Sequence, residues 1–349
     1  MKNNACLFIF LFTSSFCFLY SLHAQPFEKF ELGINICGAE FGEKNLPGTL
    51  GTDYIFPSEK QIAYFAKKGF KTIVLPFKWE RIQPKLGENL DLSYVALIKQ
   101  FLLDCKKNNV QSIITMQNFA KYRIADQEHS LGSKQLPIEL FSDVWKRIAG
   151  IFATENSVWG YDIMNEPRGI YGRNWFKAAQ SAIDAIRMHD TTAYVIVDGE
   201  NGSFSYEWKY DNDKLKDLKD QWNKVIYDAH CYFDYDHSGR YDSTYTRKID
   251  EKIGIKFVKP FIDWLKKYNK RGIVGEFGIP ANHEKWEMVM RNFLDYLKAQ
   301  GVQANYWAAG TWWGKYALSI EPENEIDKPQ MKILEHYLPK QFPNFFPFF

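Results

Sequence analysis

The feature that most narrows the fold is an alternation. Short apolar runs are followed by longer stretches of helical periodicity, eight times over. The runs are Glu31–Ile36, Thr72–Leu75, Gln111–Met116, Val158–Met164, Ala193–Val197, Lys224–Asp228, Gly272–Gly275 and Gln303–Trp307. The helical stretches are Ser58–Lys68, Leu92–Lys107, Ile138–Ala153, Trp175–Met188, Asp250–Tyr268, Glu284–Lys298 and Gln330–Tyr337; the fifth run has a longer, more polar sequel. Strands that alternate with helices pair in parallel, and eight such units in 349 residues predict a closed (β/α)8 TIM barrel. An open doubly wound sheet would carry a glycine-rich phosphate loop after its first strand, and Gly33-Ile34-Asn35-Ile36-Cys37-Gly38 is not one. No linker or shift of composition interrupts the chain, so 25–349 reads as one domain.

The N-terminus reads differently. Lys2 precedes an apolar run from Ala5 to Leu22, and Ser21-Leu22-His23-Ala24 has the small residues of a cleavage site. That is the build of a secretory signal over residues 1–24, with an uncleaved anchor as the alternative. The expected location is therefore secreted or periplasmic. Cys37, Cys105 and Cys231 then remain, an odd and scattered set that is neither a disulfide framework nor a zinc site. The net charge of +2, with no basic block, leaves nucleic-acid binding without an electrostatic footprint. The aromatic content of 17% suits a large core and equally a cleft in which flat rings stack on sugars.

In a barrel of this kind chemistry sits just past the C-terminal ends of the strands. There the fourth run ends in Asn165-Glu166-Pro167 and the seventh in Gly275-Glu276-Phe277-Gly278. Two carboxylates converging on one mouth are the minimal apparatus for glycoside hydrolysis: one protonates the leaving oxygen and the other attacks the anomeric carbon. Their environments must hold them in different protonation states.

These strand ends also carry a resemblance. Gly33–Gly42, Leu75–Pro84, Met164-Asn165-Glu166-Pro167, His230-Cys231-Tyr232 with Asp234–Gly239, Gly275–Gly278, and Tyr306–Gly314 running on to Glu321-Pro322 stand in order along the chain. Together they resemble the retaining glycoside hydrolases of family 5, and most closely the cellulase or endoglucanase branch. The resemblance implies Glu166 as acid/base, Glu276 as nucleophile and Asn165 on the sugar 2-hydroxyl. It places Tyr232 against Glu276, His230 on the acid/base side, and Trp307 as the floor under the reacting sugar, with a cis peptide to Ala308. Gln117, Asn118, Trp79 and Trp313 complete the expected substrate contacts. It implies no metal or other cofactor, a β-linked oligo- or polysaccharide as partner, and a monomer.

Two positions depart from the family pattern. The arginine usual two residues before the strand-two proline is Val74 here, and the usual Asp-x-His-Asn of strand three is Thr115-Met116-Gln117-Asn118. A cation beside a buried carboxylate depresses its pKa by about one to three units, so without it Glu276 is expected to be partly protonated near neutrality. Lys78, two steps along the strand from Pro76 on the face of Val74, is either a replacement cation in the mouth or a solvated lysine. The expectation is an active but retuned β-glucan hydrolase. The alternatives are a carbohydrate-binding protein on an inactive barrel, or a hydrolase of mannan, xyloglucan or a host glycan.

Overall fold

The computed structural model describes residues 29–155, 158–170, 174–241 and 249–339. The signal expected at 1–24 and the aromatic tail from Phe342 to Phe349 lie outside these residues. The strands are β1 (Leu32–Ile36), β2 (Thr72–Phe77), β3 (Gln111–Met116), β4 (Lys121–Ile124), β5 (Gln127–Ser130), β6 (Val158–Asp162), β7 (Tyr194–Asp198), β8 (Val225–His230), β9 (Arg271–Phe277) and β10 (Gln303–Ala309). Eight of them close a parallel barrel in the order β1-β2-β3-β6-β7-β8-β9-β10, while β4 and β5 form a separate hairpin beside the mouth. The predicted (β/α)8 architecture is therefore the one observed.

The barrel strands are buried almost throughout, because helices cover the outside and side chains fill the inside. The helices are α1 (Glu59–Lys68), α2 (Trp79–Ile82), α3 (Leu92–Lys107), α4 (Ile138–Phe152), α5 (Trp175–Arg187), α6 (Trp208–Asp211), α7 (Ile253–Tyr268), α8 (Glu284–Gln300) and α9 (Met331–Leu334). In α4 the buried set Ile138, Phe141, Val144, Trp145, Ile148, Ala149 and Phe152 follows three- and four-residue spacing, which turns one apolar stripe to the sheet. A capping box between Ser58 and Gln61 starts α1. Gly69, at φ 106°, ends it in a left-handed turn that a side chain would strain.

Inside the barrel two layers matter for the site. Val74, Ile113, Ile196, Ile226 and Ile273 pack into a small apolar cluster of their own. Toward the C-terminal ends the interior turns polar, with Asn35, Thr115, Asp162, Asp198 and Asp228 all buried. Asn35 ties this level together, since its Nδ2 donates to the carbonyls of Gly275 (3.0 Å) and Tyr306 (3.2 Å).

Candidate active site

The apolar run expected as a strand to Met164 leaves the sheet earlier, at Asp162. Beyond it the Asn165 amide donates back to the Met116 carbonyl at 2.9 Å, and Glu166 takes φ +43°. That left-handed backbone is uncommon outside glycine and is typical of functional turns. The Asp198 carboxylate holds it by accepting the Glu166 amide at 2.8 Å, and the Trp175 indole anchors Asp198 by donating to its carbonyl at 2.7 Å. Glu166 is thereby turned inward at the mouth, 9% exposed.

Glu276 enters from β9, 6% exposed, in register with His230 on β8. The His230 ring lies between the two glutamates, with Nδ1 3.0 Å from Glu166 Oε1 and 3.6 Å from Glu276 Oε2. Its other nitrogen is 3.6 Å from Asp198 Oδ2. Tyr232 donates its hydroxyl to Glu276 Oε2 at 2.6 Å. Glu166, His230 and Glu276 each place a side-chain ligand atom within 4.8 Å of the others. The sequence-derived pair, its histidine and its tyrosine are thus brought together, with Asn165 buried beside them.

Burial is the dominant force on these charges. It lifts the Glu276 carboxyl to about 7, with the Glu166 charge adding and His230 and the Tyr232 hydroxyl opposing. For His230 burial works against the charge. The surrounding Glu276, Glu166 and Asp198 outweigh it and raise the imidazole well above its ordinary value. That direction favours the charged imidazolium as the group facing Glu276.

Lys78 is not a solvated lysine, and its contacts are with the loop after β3 rather than with Glu276. It is buried, its Nζ donates to the Gln117 carbonyl at 2.7 Å and lies over the Phe119 ring. Burial lowers its pKa, and the carboxylates that counter this are Glu80, Glu43 and Glu40. Val74 belongs to the apolar floor. A cavity of about 10 Å³, at the lower limit for admitting one water, is lined by Val74, Thr115, Asp162, Asp228, His230 and Glu276 among others.

The aromatic contacts divide. The Trp307–Ala308 peptide is cis, as expected, and Trp307 is 9% exposed at the mouth. Trp313 packs edge-on to Trp307 and Phe41 and stacks on Tyr316 at 4.3 Å. Trp79 is a correction. It is fully buried, donates to Gln83 at 2.9 Å and packs against Tyr122 and Phe141, so it offers no face to a sugar. Asn118 lines the cleft beside Glu166, and its side chain accepts from the Trp79 amide and donates to Glu80 and the Lys121 carbonyl, which commits it to holding the loop. Gln117 is also buried; its backbone carbonyl accepts from Lys78, while its side-chain Oε1 is buried with no donor.

Three residues were not singled out from the sequence. Arg168 pairs with Glu166 Oε2 at 2.5 Å and lines, with Lys78, Glu80 and Asn118, a cleft of about 490 Å³ that opens beside Glu166. Its position directly after Glu166-Pro167 was the available signal. Tyr316 accepts the Trp307 indole N–H. Asp198 is the last residue of β7, and its place at a strand end could have flagged it.

Among the described residues, Asp198, Asp228 and His230 form a second set of donors within 4.8 Å that could hold a cation. Its carboxylates are already engaged, Asp198 by the Glu166 amide and Asp228 by the Gly275 amide at 2.6 Å. Position 275 has to be glycine for this, because a Cβ there would lie 2.0 Å from Asp228 Oδ2. Cys37, Cys105 and Cys231 are free and buried, and burial pushes their thiols up, away from nucleophilic use.

With this geometry in hand, comparison with known proteins is direct. The family model for cellulase (glycosyl hydrolase family 5) matches residues 34–312. Endo-beta-1,4-glucanase B of Emericella nidulans is 32% identical over 311 residues, covering 88% of this chain and 90% of that protein. The crystal structure of Pseudomonas stutzeri endoglucanase Cel5A in complex with cellobiose superposes with a TM-score of 0.85 at 37% identity, over 91% of this chain and 95% of that one. The endo-beta-1,4-glucanase Xac0029 of Xanthomonas axonopodis pv. citri gives 0.82 at 34% identity, over 88% and 98%. The chain is thus a glycosyl hydrolase of the endoglucanase-like kind, and it belongs to the cellulase family, glycosyl hydrolase family 5.

Proposed function

We propose that this protein cleaves β-1,4-glucan internally by double displacement, with retention at the anomeric carbon. Glu276 is the nucleophile and Glu166 the acid/base. The observation that carries this reading is that the two carboxylates converge on one His230 ring, with their nearest oxygens no more than 4.8 Å apart, which is on the close side for such a pair. Retaining enzymes hold the two carboxyls about 5–5.5 Å apart, whereas inversion needs roughly 6.5–9.5 Å to admit a water.

In the first step Glu276 attacks the anomeric carbon while Glu166 protonates the departing glycosidic oxygen. Glu276 must be ionised for this, and two neighbours favour the charge: the His230 imidazolium and the Tyr232 hydroxyl. In the second step Glu166, now ionised, takes a proton from the water that hydrolyses the glycosyl-enzyme. Asn165 holds the sugar 2-hydroxyl and Trp307 supports the ring. Arg168 screens Glu166 in the resting state and must yield that oxygen when Glu166 acts as acid. Relatives named as endo-β-1,4-glucanases, and a solved relative holding cellobiose, support a β-1,4-linked glucan as substrate. The leader-like composition of residues 1–24 supports export.

The test is turnover on β-glucan, carboxymethylcellulose, mannan, xylan and an aryl β-cellobioside, with Glu276→Gln as control, and proton NMR of the first product formed. β-Anomer appearing first on a glucan supports the proposal; α-anomer overturns retention. Glycan binding without any turnover sensitive to Glu276→Gln would instead make the barrel a binding protein.

A further inference from the structure

We propose that Asp162 and Asp198 are a buried carboxyl pair sharing one proton, and that this pair is the positioning element that holds Glu166 and sets the charge around His230. Its effect on turnover rests on the hydrolase reading; the pair itself does not.

The geometry comes from two adjacent strands. Asp162 ends β6 and Asp198 ends β7, at 4% and 0% exposure. Each has one oxygen in use. Asp198 Oδ2 accepts the Glu166 amide, and the Asp162 carboxyl accepts the Met164 amide. Asp198 Oδ1 is buried with no donor, and for Asp162 Oδ1 the one further donor at hand is the Thr115 hydroxyl, itself buried without a well-placed partner. The two carboxyls lie within hydrogen-bonding reach of one another. An unpaired carboxylate oxygen away from water is costly, and one proton between the two oxygens satisfies both.

Charge leads to the same arrangement. The groups facing the pair are Glu166 beyond β6, Asp228 and His230 on β8, and Glu276 on β9. Five carboxyls around one imidazolium cannot all ionise at such separations. Burial lifts Asp162 to about 7, and burial with Asp162 and Asp228 repulsion lifts Asp198 well above the ordinary range. Sharing one proton takes the pair from two negative charges to one. That leaves the His230 charge to act on Glu276, and keeps Asp198 Oδ2 as the acceptor that fixes the left-handed turn at Glu166.

The experiment uses the full protein without substrate. Infrared spectra of protein carrying ¹³C-labelled aspartate should show a protonated-carboxyl band at neutral pH. One component of the band should disappear in Asp162→Asn and in Asp198→Asn, whose amide N–H replaces the shared proton; it should survive in Asp228→Asn, which removes only what the buried Asp228 carboxyl contributes. Each single Asn variant leaves one negative charge, so the NMR titration of His230 should stay in place. The double variant removes that charge and should move the His230 titration down. A band unchanged from the parent in both single variants, or a His230 titration that falls in each of them, overturns the shared proton. For positioning, Asp198→Ala should lower kcat about 100-fold with KM within twofold, and Asp198→Asn should recover much of that loss. Equal loss in the two, with both still folded, overturns the positioning role. A protein that shows the band but hydrolyses no glycan refutes the proposed activity and leaves the pair standing.

Discussion

Two levels of the same barrel interior carry opposite chemistry. Val74, Ile113, Ile196, Ile226 and Ile273 make an apolar floor, while Asp162, Asp198, Asp228, His230 and Glu276 crowd the level toward the mouth. Each floor isoleucine contributes roughly 1.5–3 kcal/mol by its burial. The upper groups are desolvated against their own preference, which is why their carboxyl pKa values rise. The floor holds the strands in register, and the level above uses that rigidity to keep charges close that would separate in a looser frame.

The largest effect should come from removing one upper charge. With Glu276 as the proposed nucleophile, Glu276→Gln is expected to cost about 10⁴-fold or more in kcat. It removes a buried carboxylate, so the melting temperature should hold or rise. A parallel fall in stability would show that Glu276 is part of the frame after all. The converse break is Ile226→Ala. Truncating a buried isoleucine costs about 2–5 kcal/mol, read in urea unfolding, and kcat of the folded fraction should change little. A large loss of kcat with intact stability would merge the two levels.

The contrast also separates what the sequence could reveal from what it could not. The eight strands and their helices were legible because parallel strands and amphipathic helices write burial into apolar periodicity. Glu166 and Glu276 were legible because they stand at strand ends beside distinctive neighbours. Trp79 was not, since an aromatic side chain at a strand end reads the same whether it faces a cleft or, as here, Tyr122 and Phe141. Lys78 was misplaced because the period of two stops where α2 begins, at Trp79. Asp162 and Asp198 were passed over for a related reason. Asp162 lies inside one apolar run and Asp198 just past another, and only the closed barrel turns them toward one another and toward His230.

A smaller effect is expected from Tyr232→Phe. The hydroxyl donates to Glu276 at 2.6 Å, and a hydrogen bond to a charged group contributes about 1.5–3 kcal/mol, or roughly 10- to 150-fold in kcat if it is made fully in the reaction. Its loss also removes a force that lowers the Glu276 pKa, so the acid limb of the pH–rate profile should move to higher pH. A lower kcat with an unmoved limb would mean that Tyr232 contacts the sugar rather than tuning the nucleophile.

The smallest expected effect, and the one that reads the upper level directly, is the pH dependence of stability. Glu276 and Asp162 both titrate near 7 in the folded protein, raised by burial from 4.5 and 3.8. Between those values and about 7 the folded state binds more protons than the unfolded one, so stability falls as pH rises, and above about 7 the slope from these groups ends. His230 acts in the same sense: its raised pKa contributes stability below the unfolded value of about 6.5, lost as pH climbs through the higher folded one. Surface carboxylates such as Asp236, held at about 2 by Ser238 and Arg240, are ionised in both states across this window and add no slope. Urea unfolding at pH 5 and pH 7.5 should therefore show the protein more stable at the lower pH, and Glu276→Gln should flatten the difference. The apolar variant Ile226→Ala should lower both curves and leave the difference unchanged. An unchanged slope in Glu276→Gln would place the proton uptake elsewhere in the molecule.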